Sequence, residues 1–487
     1  MKKFKIKIAA LALAFGVVSV TGCKKFLDIN ENPNAPSDAN VTLLLPSAQA
    51  SIAHVLGNQF QVYGGIWGQY WTQSPSASQY KTIDQYSINA SSFDRSWRIL
   101  YTNALQDLQV VITKAAAAPQ YQQYAAISYI LKGYTYQMLT DAFGDVPVKE
   151  ANNVNITNPH YDPQEVVYDS VFYFINKGLS MIDLNTEAVP GSEDLLFAGD
   201  MGKWQQFGNT LKLRAALRLS QVAPQAAEDT IKALQAAGVT FLTEDAAIQY
   251  STTGGNQNPL FAEILGLGRT QNLVASSTAV DQMNQNHDPR VNVFYEKVEA
   301  LDTVVGITQG AFDTITTTIP YSIPTPAVGA KGLDDQSALA PVKLISASES
   351  YFLQSEAAAR GWWTGADAAQ LFRSGISASF ADYGLAGEAS AYITNAPAAQ
   401  WPAGLPAQIK AIITQKYFAM CGNQSFEAWT EWRRTNYPDF LVVSLASALG
   451  NDQRPLRLLY PNTEVTQNSN FPGLKTITTP VWWDKLH

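Results

Sequence analysis

The chain has 487 residues, 46% hydrophobic and only 15% charged, with a formal net charge of −8. The first 22 residues hold four lysines and no acid, so the remainder carries a net charge near −12. That balance excludes nucleic acid, which needs a basic face to displace counterions from phosphate, and adsorption on anionic lipid, while the length suffices for a core without disulfide staples.

Lys2, Lys3, Lys5 and Lys7 precede an apolar run from Ile8 to Val20. A spanning helix needs about 20 apolar residues, so this run is too short to stay in a bilayer and reads as a secretory leader. Val20-Thr21-Gly22-Cys23 resembles a bacterial lipobox, with Val20 where Leu is usual and Thr21 where Ala or Ser is usual. Residues 1–22 are then a signal peptide and Cys23 is the lipidation site; a secreted protein with a chance cysteine is the alternative. Acylation of Cys23 leaves Cys421 alone, so no intrachain disulfide forms, and its apolar helical setting predicts a buried residue. Asp28, Asn30 and Asn32 begin like a calcium loop. Pro33 and Ala39 stand where such a loop needs glycine and an acid, so the stretch reads as a polar turn.

Helical spacing starts at Phe93–Ala117, behind Ser91 and Ser92, and continues in Tyr121–Phe143, closed by Gly144. Asp162-Pro163-Gln164-Glu165 predicts a capping box opening a helix to about Asp183. Gly202–Val222 carries Trp204, Phe207 and Leu211 on one face and stops before Pro224; Gln225–Ala237 is closed by Gly238. Val342–Arg360, Ala366–Tyr383, Pro406–Cys421 and Ser425–Arg433 follow. Residues 251–275 and 320–341 read as long loops, and Thr-rich Val304–Ile319 as a β-hairpin. Length alone suggests about three domains, but no linker divides the chain, so residues 23–487 read as one. The class is mainly α: antiparallel helix pairs in helical-repeat packing, with long inserted loops and a minor β-hairpin.

His54, His160, His287 and His487 lack the spacing of metal ligands on one helix turn, and no nucleophile elbow or phosphate loop occurs. The reading therefore names no catalytic residue, metal or cofactor, although two carboxylates meeting in space would suffice for a glycosidase. The segment 64–80 mixes aromatics with Gln and Ser. Indole and phenol rings stack on the C–H face of a sugar while amides and hydroxyls bond its rim, which makes Trp67, Tyr70, Trp71 and Tyr80 ligand candidates. Trp67 and Trp71 are spaced to share a helix face, which fits core packing as well. Trp362 and Trp363, just behind a helix, are further surface candidates, and Trp97 is read as core.

Several stretches together resemble the SusD/RagB family of nutrient-binding outer-membrane lipoproteins, nearest its SusD-like 2 branch. They are Phe26–Asn34, Thr140–Pro147 (TDAFGDVP), Gly199–Arg214 (GDMGKWQQFGNTLKLR), Ser355–Gly361, Lys416-Tyr417, Glu427–Pro438 (EAWTEWRRTNYP), Arg457–Glu464 (RLLYPNTE) and Val481–Asp484. Each is weak alone; their order along the chain is what carries the resemblance. Read physically, they are scaffold: Arg214 and Arg218 are core-helix arginines seeking carboxylates, and Arg433-Arg434 suits a helix C-terminus. The resemblance implies a tetratricopeptide-like scaffold in an outer-membrane, surface-facing lipoprotein. It implies a lid on a SusC-like TonB-dependent transporter, delivering an oligosaccharide. A peptide ligand as in the RagB branch, a surface glycan hydrolase, and a ligand-free structural subunit are the alternatives.

Overall fold

The computed structural model describes residues 39–315, 319–450 and 452–487. The leader, Cys23 and the Asp28–Asn32 stretch lie outside the described residues. Two N-terminal helices, α1 (Val41–Gly57) and α2 (Gln59–Trp67), were not evident in the sequence. Gly64 and Gly65 of α2 are required by close packing. A Cβ on Gly64 would sit 2.3 Å from the backbone of Phe426, and one on Gly65 would sit 2.4 Å from the Trp71 ring.

The predicted Phe93–Ala117 helix is realised in three parts: α3 (Asp94–Arg98), a π-helical stretch Ile99–Leu105, and α4 (Gln106–Ala115). Next comes α5 (Gln122–Phe143), buried along almost its whole length and ended by Gly144 at φ +92. It packs antiparallel on α6 (Gln164–Met181), with a glycine of each helix letting the other approach closely. A Cβ on Gly133 would lie 2.7 Å from Ile175, and one on Gly178 would lie 2.6 Å from the Ala126 carbonyl. The predicted capping box is absent. The Asp162 carboxylate turns away to accept from the N–H groups of Val148 (2.9 Å) and Lys149 (3.0 Å). Asp145 instead takes the Gln164 N–H at 3.0 Å, because the 145–148 turn folds back over the helix start.

The helix α7 (Met201–Arg218) is capped by Asp200, which accepts from the Lys203 N–H at 3.0 Å, and α8 (Pro224–Ala236) follows with proline in its first turn. The 251–275 loop contains α9 (Pro259–Gly266), capped by Asn258. Four of the residues assigned to the Val342–Arg360 helix are strand; α10 (Ala347–Ala359) starts only after Ser346, whose hydroxyl caps it. The scaffold closes with α11 (Ala368–Asp382), α12 (Leu405–Ala419) and α13 (Ser425–Thr435). The result is a mainly helical, tetratricopeptide-like fold.

The strand content differs from the expected hairpin. β1 (Trp71–Gln73) pairs antiparallel with β3 (Leu273–Ala275), and β2 (Ala246–Ile248) with β4 (Val342–Ile345), so both sheets join distant segments. Among its described residues, 304–319 forms no hairpin. The Ile307 N–H bonds the Ala275 carbonyl (3.0 Å) and Ser277 N–H bonds the Ile307 carbonyl (2.8 Å). Burial of Val304, Ile307 and Phe312 against the β1–β3 region wins over local pairing.

Motifs far apart in sequence converge inside the scaffold. Asp141 accepts from the Tyr168 hydroxyl (2.6 Å) and the Trp483 indole (2.8 Å) and lies 3.3 Å from Arg218. Arg218 also pairs with Glu427 and Glu431. Arg434 grips Glu356 through two 2.7 Å bonds and Glu431 at 2.6 Å. All of these groups are buried. Burial alone would raise the Glu431 carboxyl, but Arg434, Lys416 and Arg218 hold it well below its usual range. Arg457 donates to the Phe143 carbonyl at the end of α5, where a cation meets the negative end of the helix dipole.

Candidate functional site

Trp67 is the last residue of α2, whereas Trp71 opens β1, with Gly68 and Gln69 (φ +61) turning the chain between them. The two rings therefore do not share a helix face. Trp67, Tyr70 and Trp71 are all buried. The Tyr70 hydroxyl bonds the Tyr417 carbonyl at 2.6 Å with the two rings stacked, and the Trp67 indole bonds the Ile83 carbonyl at 3.0 Å. Held in this way, the three rings support their surroundings and present no face to solvent. Trp362 and Trp363 are half-buried elsewhere, against the apolar cluster of α7, α8 and α10; Trp363 contacts Phe241 at 5.2 Å and Arg360 lies 5.0 Å over Trp362.

Tyr80 differs. Its ring lines a cavity of about 260 Å³ formed by α1, α2, the 79–83 turn, the 92–99 segment and Glu263 of α9. The Tyr80 hydroxyl donates to Glu263 Oε1 at 2.9 Å, and its backbone N–H is fixed by Gln73 Oε1 at 2.7 Å. Burial, then the neighbouring Glu263 carboxylate, pushes the phenol well above its ordinary value, so it stays a neutral donor. Tyr63, backed edge-on by Trp67, adds a second ring; burial raises it to about 12.

The rest of the wall is polar. Gln59 donates to the Ser92 carbonyl at 2.5 Å and accepts from the Ser96 hydroxyl. The Gln79 N–H donates to Asn272 Oδ1 at 3.1 Å, which pins the turn. At one edge, Arg95 lies 3.2 Å from His54 Nε2. Arginine only donates, so this His54 nitrogen is the acceptor and the proton sits on Nδ1. Burial, then the Arg95 charge, lowers His54, which keeps the ring neutral at neutral pH. Tyrosine edges, amides, hydroxyls and one carboxylate suit hydroxyl-rich, uncharged groups. At about 260 Å³ the cavity lies just below the roughly 300–1,000 Å³ typical of ligand sites, so it takes one part of a larger ligand.

Sequence reasoning named Tyr80 as a candidate and did not name His54, Gln59, Arg95 and Glu263, which line the same cavity. Each is a lone polar residue on a helix, and no local pattern links four segments spread over 210 positions. Among the described residues, no cluster of His, Cys, Asp and Glu is arranged to hold a metal ion, and no helix is long and apolar enough to cross a membrane. Cys421 is buried with its sulfur 3.2 Å from the Tyr295 hydroxyl, and burial pushes its thiol up.

Comparison with known proteins bears on this architecture. Residues 33–461 match the SusD-like 2 family, described as starch-binding and associating with the outer membrane. No curated protein matches the chain. Among solved structures, a chitin-binding protein is similar at 25% identity and a TM-score of 0.78, covering 91% of this chain and 100% of that one. A SusD homolog from Bacteroides uniformis is 24% identical with a TM-score of 0.77, covering 92% and 100%. A chitin-binding SusD homolog from Flavobacterium johnsoniae is 22% identical with a TM-score of 0.74, covering 90% and 99%.

Proposed function

The chain belongs to the SusD-like family, and from that premise we propose that it captures an oligosaccharide at the outer membrane and hands it to a SusC-like TonB-dependent barrel. The protein binds and releases; it makes and breaks no bonds. Cys23 carries the lipid that tethers it to the membrane, facing the cell exterior.

The observation that supports this most is the cleft at Tyr80. Its ring wall and neutral hydrogen-bonding groups match a sugar's C–H face and hydroxyl rim, and the Tyr80–Glu263 bond holds a phenol at the wall. The chitin-binding neighbours make chito-oligosaccharides the first ligands to try. Calorimetric titration of the full chain with chito- and malto-oligosaccharides tests the reading. Binding that is lost in Tyr80→Ala, with an unchanged circular dichroism spectrum, supports it; binding indifferent to Tyr80→Ala removes this cleft as the site. Pull-down of the lipidated protein from its outer membrane tests the partner. A stoichiometric barrel is expected, and a protein that comes down alone after cross-linking defeats the transporter reading.

A further inference from the structure

A second, wider cleft lies on the other side of α3. Its volume is about 700 Å³, and it is walled by α3, the π-helical stretch, the 147–159 loop and the short helix Asn462–Gln467. Trp97 and Tyr101 line it, in contact at 4.7 Å, and the exposed side chain of Val154 stands at its margin. Arg95 and Arg98, three residues apart on α3, both reach it and are both exposed. Arg95 lines the Tyr80 cleft as well, so it forms a ridge between the two.

The charges in this cleft are unequally committed. Asp94 accepts from the N–H (3.0 Å) and hydroxyl (3.2 Å) of Thr463. Glu464 accepts from the Trp97 indole (3.2 Å), the Tyr161 hydroxyl (2.7 Å) and the Asn468 amide (3.1 Å). Glu464 is engaged through both oxygens, and Asp94 through Oδ1. Among the described residues, neither Arg95 nor Arg98 has a carboxylate within salt-bridge distance, in a chain with an overall excess of acid. Asn152 is part of the fixed wall: its amide nitrogen donates to the Tyr101 carbonyl at 2.8 Å and to Gln106 Oε1 at 3.2 Å, and its Oδ1 is buried away from the cleft.

We infer that this wider cleft binds a carboxylate-bearing saccharide, of the hexuronic-acid class. The carboxylate meets the guanidinium donors of Arg98 and those of Arg95 not given to His54, and the apolar ring face lies toward Tyr101, which Trp97 backs from within. Guanidinium is the side chain best matched to a carboxylate, because its planar fork offers parallel N–H bonds. The saccharide part of the inference rests on the function proposed above; the anionic part rests on this cleft alone.

The test uses the full chain, trigalacturonic acid and its carboxyl-reduced, neutral counterpart, with chitotriose as a separate ligand. The acid is expected to bind about tenfold or more tighter than the neutral trimer, and to weaken as salt rises from roughly 50 mM to roughly 0.5 M. Arg98→Gln, and more strongly Arg95→Gln with Arg98→Gln, should lower acid affinity about tenfold or more, while Tyr80→Ala leaves it unchanged. Equal affinity for acid and neutral trimers overturns the inference, as does acid binding indifferent to both arginine variants. If chitotriose binds through Tyr80 and the acid does not bind, this cleft is refuted and the sugar-binding reading stands. If neither ligand binds, both fall.

Discussion

Arg218 and Arg434 in the scaffold, and Arg95 and Arg98 at the clefts, are the same residue in opposite circumstances. The first pair is buried, and every guanidinium edge that faces a neighbour meets Asp141, Glu356, Glu427 or Glu431. The second pair is exposed and meets no carboxylate among the described residues. Burial forces the scaffold arginines to bring their counter-charges with them, since an unpaired buried ion costs several kcal/mol. Water solvates the cleft arginines at no such cost, so their donors stay available to a ligand. Charge that is neutralised inside holds helices together, and charge left free at a rim recognises.

The largest expected effect that tests this contrast is Glu431→Ala. It removes one buried carboxylate from Arg434, Arg218 and Lys416 at once, leaving Arg434 to Glu356 and Arg218 to Asp141 and Glu427, and should cost about 3–5 kcal/mol in urea unfolding. A loss below about 1 kcal/mol would mean the cluster is effectively solvated and the contrast false. Acid gives the second test. Glu427, Glu431 and Glu356 are buried, which alone would raise them, yet their arginine and lysine partners hold all three below the usual glutamate value of 4.5. A carboxylate depressed in the folded state stabilises fully above its unfolded value. That stability is lost as pH falls from about 4.5 through the depressed folded values. Urea midpoints should therefore fall as pH drops below about 4.5, offset in part by Asp141 and Glu349, whose carboxyls burial raises so that their protonation acts in the opposite sense. Third, Tyr80→Phe removes the donor to Glu263 and should cost about 0.5–1.5 kcal/mol of stability together with the sugar affinity of the smaller cleft. The smallest effect is Arg98→Gln, which should change stability by less than about 0.5 kcal/mol. A larger loss would show Arg98 to be a structural residue, erasing the distinction.

Much of the scaffold was legible because it is written in local rules. Gly144 ends α5, Asp200 and Pro224 start α7 and α8, and the Arg214–Arg218 helix took carboxylates as its core reading required. Local rules misled where another segment outbid them. Asp162 looked like a helix cap, but the turn at 148–149 presented two N–H groups to it first. Val342–Ile345 looked helical, but β2 offered a partner strand, with Ile248 opposite Val342 and Ala246 opposite Ile345. The aromatic run at 64–80 looked like one ligand face, but Gly68 and Gln69 break it, and Trp67, Tyr70 and Trp71 turn inward while Tyr80 alone reaches a cavity. The helix α1 buries one face, through Val41, Leu44, Leu45, Ala48 and Ile52, but escaped notice because Pro46 lies inside it and exposed Leu43 blurs the apolar stripe.

The sequence by itself determined the helical class, most helix ends, the burial of Trp97 and Cys421, and the ordered motifs that mark the family. These depend on spacing of 3.6 residues and on capping chemistry, which act within a turn or two. Only the tertiary structure decided which arginines are neutralised and which are free, and which of the candidate aromatic residues lines a cavity. Both depend on groups brought together from distant segments, such as His54, Tyr80, Arg95 and Glu263, and burial, which sets the energy of a charge or a ring, is a property of the packed whole.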